Sequence, residues 1–223
     1  GHTDWVRAVA VGESEGRPVV VSGSDDHTVR VWELATGAPV GDPFIGHTDW
    51  VRAVAVGESE GRPVVVSGSD DHTVRVWDLA KRRPVRRILR TMRLDHSSPV
   101  QATALYHVQA SACRKDHLTV IAGCSDGAMV TWNLSTSGTL LKKHVYRRAP
   151  VNAIAVLGPD HVMYAASGVL TLIISPTNQD SAVALTIDLD ADVLALALHS
   201  GSTLVAATRL GLVVLDLPRS WPP

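Results

Sequence analysis

Residues 1–35 read GHTDWVRAVAVGESEGRPVVVSGSDDHTVRVWELA, and residues 46–80 repeat them with one change, Glu33 to Asp78. Self-similarity at a period of 45 residues is the mark of stacked units, none of which buries its apolar face alone. Within a unit the apolar residues alternate. VRAVAV, PVVVSGS and TVRVWEL are short, β-branched and bounded by Gly, Pro, Ser or Asp, which reads as three strands. A weaker fourth strand is expected around Pro39–Ile45. Four short antiparallel strands in ~45 residues make one blade of a propeller. Small Ala8 and Ala10 on the first strand suit a crowded central axis.

Fainter copies follow. His96 opens a third unit that ends in SDGAMVTWNL, Arg147 a fourth, and Asp190 a fifth that ends in GLVVLDL at Leu217. The expectation is an all-β propeller of five blade-like units, about 1–45, 46–95, 96–146, 147–189 and 190–217, with 218–223 as a tail. Only four outer strands are legible, because PRSWPP after Leu217 is too short and proline-rich to supply a fifth. Two closures stay open. One is a piece of a seven-bladed or larger ring, which a chain opening on Gly1 rather than Met suits. The other is a five-bladed ring, or an arc closed by self-association.

The GH pairs, the SGSDDHT turns and the Trp77–Asp78 ending resemble the tryptophan–aspartate (WD) repeat family. The resemblance is strongest over 1–80, good over about 96–134 and weakest over 147–217. It implies a hydrogen-bonded chain of His, Ser, Asp and Trp in each blade. These are His2, Ser22, Asp26 and Trp32, then His47, Ser67, Asp71 and Trp77, then His96, Asp126 and Trp132 with Ala122 at the serine position. Ser22 is preferred over Ser24 for the first chain. The trio His, Ser and Asp has the composition of a hydrolase triad, but a triad is not expected twice in tandem with a Trp attached to each copy. A satisfied polar network that fixes blade geometry is the expected role. Arg147, Ser167 and Ile173 stand in the His, Asp and Trp positions of the fourth unit, and Leu189, Arg209 and Leu215 in those of the fifth. Apolar packing must hold these two.

The resemblance also implies that partners dock on the rim carrying GHTDW and SDDHT, through three positions per blade. Here they are Trp5, Arg7 and Asp25, then Trp50, Arg52 and Asp70. Trp and Arg are enriched in binding hot spots. The later triplets are bland: Pro99, Gln101 and Ser125; Pro150, Asn152 and Ala166; Asp192, Leu194 and Thr208. The competing reading has Trp5 and Trp50 packed beneath their own loops.

With 21 basic and 22 acidic residues the net charge is -1, so no global field recruits nucleic acid or an anionic membrane. One strip departs from this balance. Lys81–Arg93, KRRPVRRILRTMR, offers Arg86, Arg87 and Arg90 to a polyanion, either nucleic acid or anionic lipid. Val85, Ile88, Leu89 and Met92 fit a helical face, but the repeat frame places an outer strand here, and charge on an outer edge also blocks edge pairing. Asp25 and His27 of the SDDH turn are adjacent and should diverge, so no metal and no cofactor is expected. Asp190 and Asp192 are the nearest, weak, candidates for catalysis.

Cys113 and Cys124 lack CxxC spacing, which suits free thiols in a reducing, cytoplasmic setting. No apolar run reaches the ~18 residues of a membrane span. The 17 Arg against 4 Lys look like a bacterial coding bias. The function expected is a non-catalytic scaffold for other proteins or peptides, probed against polyanion binding and self-assembly as alternatives.

Overall fold

Successive side chains of a strand point to opposite faces, so the consecutive valines Val19–Val20–Val21 make both faces of a sheet apolar, and such a sheet is stable only between two neighbours. The computed structural model describes residues 1–59, 61–79, 88–93, 98–108, 117–133, 139–145, 149–158, 161–174, 182–199 and 203–217, and every regular element among them is a β-strand. Blade 1 consists of β1 (Val6–Ser14), β2 (Arg17–Ser24), β3 (Thr28–Glu33) and β4 (Phe44–Ile45). Blade 2 consists of β5 (Val51–Ser59), β6 (Arg62–Ser69), β7 (Thr73–Asp78) and β8 (Ile88–Arg93). Blade 3 holds β9 (Val100–Val108), β10 (His117–Cys124), β11 (Ala128–Asn133) and β12 (Thr139–Val145). Blade 4 holds β13 (Val151–Gly158), β14 (His161–Ala166), β15 (Val169–Ile174) and β16 (Ala182–Asp188). Blade 5 has β17 (Val193–His199), β18 (Thr203–Thr208) and β19 (Gly211–Asp216), and no fourth strand among the described residues. Within each blade consecutive strands pair antiparallel, so the fold is an all-β five-bladed propeller.

The weak outer strand of blade 1 is present as β4 and an isolated bridge between Trp32 and Pro39. In the basic strip the repeat frame prevails over the helical pattern, for Ile88–Arg93 is strand β8, with Arg90 opposite Val76. Residues 81–87, including Arg86 and Arg87, lie outside the described residues. So do His96, Arg147 and Cys113. Cys124 is buried.

The inner strands pack in succession, β1 on β5, β5 on β9, β9 on β13 and β13 on β17. At each of the first three seams a small residue of one blade faces a valine of the next. On β1 the small residues Ala8 and Ala10 pack against the seam with blade 2, not against the axis as expected from their size. Gly12 meets Val56 so closely that a Cβ there would overlap the valine side chain, and Gly68 and Gly123 stand in the same relation to Val100 and Val151. Small side chains are therefore needed for one blade to admit the valines of the next.

The first seam sets Val19, Val21, Val29, Val31 and Phe44 against Val51, Val54, Val65 and Trp77. Phe44 lies 5.1 Å from the ring of Trp77, so the outer strand of one blade covers the tryptophan of the next. Val64, Val66, Val74, Val76 and Met92 continue the pattern against Val100 and Trp132. Tyr164 and Ile173, then Val193 and Leu204, carry it to blades 4 and 5. Among the described residues no such cluster joins blade 5 to blade 1.

Candidate functional site

Two layers build the rim that carries the GH and SDDH turns. The lower layer is a polar chain. In blade 2, His47 Nδ1 lies 2.8 Å from Asp71 Oδ2 and Nε2 lies 2.7 Å from Ser67 Oγ. The Trp77 indole N–H donates to the same Ser67 Oγ at 2.8 Å. An indole only donates, so the Ser67 hydroxyl proton goes to His47 Nε2, and His47 donates from Nδ1 to Asp71. That direction requires neutral imidazole, and burial pushes the His47 pKa down from its ordinary 6.5 against the pull of Asp71. Blade 1 repeats the chain, with His2–Asp26 at 2.8 Å, His2–Ser22 at 2.7 Å and Trp32–Ser22 at 2.8 Å. Ser24 lies outside it and bonds the Asp4 carbonyl and the Asp26 N–H instead.

Thr28 and Thr73 belong to these chains, though the sequence reading did not name them. Each threonine hydroxyl donates to the second oxygen of its aspartate at 2.6 Å. Burial alone would raise the Asp26 and Asp71 pKa values. The bonds from His2 or His47, from Thr28 or Thr73 and from backbone N–H groups outweigh it and hold both well below the carboxylate range. The D-x-T spacing in SDDHT was the available signal. Ser22 and Ser67 are both buried, and each hydroxyl is engaged by a histidine and an indole.

Blade 3 keeps Asp126, which accepts from the Ala128 N–H at 3.0 Å, and a buried Trp132, with Ala122 paired to Val130. The register corrects two positions further on. Val151 pairs with Ala166 and Val193 with Thr208, as Val51 pairs with Ser69. Ser167 and Arg209 therefore occupy the place of Asp70, not of Asp71, and Ala166 and Thr208 are not rim positions. The turns are one residue shorter there, Ser167–Gly168 and Arg209–Leu210 against Asp70–His72. With that residue gone, no position for the network aspartate exists.

The upper layer is a ladder of alternating indoles and guanidiniums. Arg7 lies over Trp5 with 4.8 Å to the ring centroid and also over Trp50 at 5.6 Å. Arg52 also lies over Trp50, at 4.6 Å. Asp25 and Asp70 fix the guanidiniums, with Nε–carboxylate distances of 2.9 Å in both blades. The backbone closes the same frame, since the Asp25 and Asp70 N–H groups donate to the Trp5 and Trp50 carbonyls at 2.9 and 3.0 Å. All six rim residues read from the sequence are thus brought together. The tryptophans are not packed beneath their loops: Trp5 is 70% exposed and Trp50 39%. The difference follows from Arg7, which shields the second indole as well as its own.

The remaining candidates fall apart. Asp25 is turned to Arg7, Asp26 to His2, and among the described residues no three His, Cys, Asp or Glu side chains converge to hold a metal ion. Asp192 lies 3.7 Å from Arg209 in an exposed ion pair, and the Asp190 backbone N–H bonds Asp188. No described helix is long and apolar enough to cross a membrane, which leaves strand-built barrels untouched.

Stacked blades with GH turns, SDDHT turns and a buried Trp define a WD-repeat β-propeller, and the WD domain, G-beta repeat, matches residues 1–33. The nucleolar protein 10-like N-terminal domain matches residues 42–214, and the chain belongs to that β-propeller family. Ribosome biogenesis protein BOP1 homologs of Drosophila grimshawi, Drosophila ananassae and Drosophila melanogaster are each 62% identical to it over 37 residues. That stretch is 17% of this chain and 4% of those relatives. These relatives are fruit-fly proteins, which lends no support to the bacterial reading of the arginine bias.

Proposed function

We propose that the chain is a non-catalytic protein-interaction scaffold whose partner docks on the Trp5–Arg7–Trp50–Arg52 ladder. The observation that carries this is the ladder itself. It holds exposed indoles in a fixed geometry, and because each guanidinium already has its carboxylate, covering it leaves no charge unpaired. Rigid aromatic and Arg anchors lose little conformational entropy when a partner covers them. The polar chains beneath hold the turns from which the ladder rises, which is the role assigned to His2, Ser22, Asp26 and Trp32 and their counterparts.

The family and the relatives' names direct the search for that partner to ribosome assembly rather than to a general cytoplasmic role. The test is affinity capture from nucleolar extract with the chain and its Trp5→Ala/Trp50→Ala variant, at low and high salt and with nuclease. The expected result is a protein partner kept by the first, lost by the second and insensitive to nuclease. Identical capture by both baits overturns the docking site. Capture abolished by nuclease, and by reversing Arg86, Arg87 and Arg90, would transfer the function to the basic strip.

A further inference from the structure

The backbone around each ladder tryptophan is already hydrogen-bonded. The Trp5 and Trp50 N–H groups donate to Oδ1 of Asp4 and Asp49 at 2.7 and 2.8 Å. Their carbonyls accept from Asp25 and Asp70, and the carbonyls of Asp4 and Asp49 accept from Ser24 and Ser69. The carboxylates are spent as well. Both Asp25 oxygens accept from Arg7, and Asp70 Oδ2 accepts from Arg52 while its Oδ1 is buried. What remains is one kind of group. The indole N–H of Trp5 and Trp50 and Nη1 of Arg7 and Arg52 make no hydrogen bond among the described residues. The ladder residues therefore offer free donors and no accessible acceptor, and the adjoining Asp4 and Asp49 each keep one oxygen.

A partner must match that imbalance. An extended segment brings N–H groups that these donors cannot serve, and an N–H covered without a partner is costly. A helix bonds its own backbone and leaves the donors unpaired. Two classes bring acceptors alone, polyanions and proline-rich segments, and charge separates them. In these turns two arginines stand among four aspartates, Asp4, Asp25, Asp49 and Asp70, which disfavours a polyanion. The hydrogen bond to Asp25 is the main cause that raises the Arg7 pKa, and the charges of Asp4 and Asp70 add to it. Proline has no N–H, and the carbonyls of a polyproline II helix have no internal partner. The spacing agrees. Arg7 lies 4.8 Å from the Trp5 centroid and 5.6 Å from that of Trp50, so the indoles are no further apart than those two distances together. A polyproline II helix presents the same face every third residue, about 9 Å apart, which falls within that span.

We infer that the ladder takes a proline-rich segment in polyproline II form, with prolines three residues apart against Trp5 and Trp50 and the segment's carbonyls accepting from the indoles and from Nη1 of Arg7 and Arg52. The free oxygens of Asp4 and Asp49 favour a basic residue beside the prolines. Aromatic rings that hold proline and donors that read the carbonyls are the general means of recognising this helix. The inference rests on the docking role proposed above and specifies the chemistry of the partner.

The test is a titration followed by the indole N–H resonances in nitrogen–proton NMR spectra, with those of Trp5 and Trp50 assigned from Trp5→Phe and Trp50→Phe. The probes are a capped ten-proline peptide ending in lysine, the same peptide with alanine for proline, and a polyglutamate peptide of equal length. The Trp77 indole N–H, bonded to Ser67, reports that blade 2 stays folded in each variant. The expected result is that the proline peptide shifts the Trp5 and Trp50 resonances saturably below millimolar concentration, that the other two peptides do not, and that Trp5→Ala/Trp50→Ala abolishes binding. No shift with the proline peptide up to millimolar concentration overturns the inference. So does an equal shift with the alanine peptide, or a larger one with polyglutamate. Affinity capture keeps the two readings apart. A partner lost with Trp5→Ala/Trp50→Ala while the proline peptide fails to bind removes the proline chemistry and leaves the docking site standing, whereas capture indifferent to that variant removes both.

Discussion

Val9 and Val54 sit at the same place in strands of identical sequence, yet Val9 is 62% exposed and Val54 9%. The difference is the preceding blade, which covers β5 and not β1. Val54→Ala should therefore cost about 2 kcal/mol, from lost apolar burial and the space left behind. Val9→Ala should stay within about 0.5 kcal/mol, as exposed substitutions do. Denaturant unfolding at concentrations low enough to keep the chain monomeric checks this. Equal costs would mean that blade 1 is covered in the single chain.

Ser67 joins His47 to Trp77, and removing its hydroxyl leaves a buried imidazole nitrogen and a buried indole N–H without partners. Ser67→Ala should destabilise by about 1–3 kcal/mol. Ser22→Ala should cost less, because Trp32 is half-buried where Trp77 is fully buried. The comparison is again denaturant unfolding, and a larger loss for Ser22→Ala would speak against the network as described.

Acid should weaken the fold in two stages. Folded His47 resists the proton that the unfolded chain takes up near pH 6.5, so its contribution is whole above that pH and declines below it. Asp26 and Asp71 titrate well below 3.8 when folded, so what they contribute is whole above that value and is lost as pH falls beneath it. Urea midpoints between pH 8 and pH 3 should be flat at first, fall below about 6.5 and fall more steeply below about 4. Asp71→Asn should lower the midpoint at neutral pH and flatten the last part of the curve. A wild-type midpoint unchanged from pH 7 to pH 4 would contradict this.

At Gly23 a Cβ would lie 2.6 Å from Val51 Cγ1 and 3.0 Å from Val54 Cγ1. Gly23→Ala should therefore push blades 1 and 2 apart and cost about 1–3 kcal/mol by overpacking. The loss should shrink when Val51 is trimmed to Ala in the same chain, which a double-mutant cycle would show.

Much of this was legible because the sequence repeats itself. The strand pattern and the His2–Ser22–Asp26–Trp32 chain could each be read twice over. The Arg7 contact with Trp50 could not, since it crosses a seam and depends on how closely two blades stack. Nor could the turns of blades 4 and 5, where Ser167 and Arg209 look like turn-aspartate replacements until strand register shows that a residue is absent. Ala8 and Ala10 were read as axis-filling because smallness alone does not say which neighbour demands it. Thr28 and Thr73 were passed over because a hydroxyl two residues beyond an aspartate is common in turns.

The central claim is that Trp5 and Trp50 form one docking surface through Arg7. It is tested most directly by the affinity of the captured partner for the chain, Trp5→Ala, Trp50→Ala and the double variant, measured by calorimetry. The account predicts at least a tenfold loss for each single variant and a double loss smaller than the product of the two, because either substitution breaks the same ladder. An affinity for the folded double variant within twofold of the unmodified chain would contradict it.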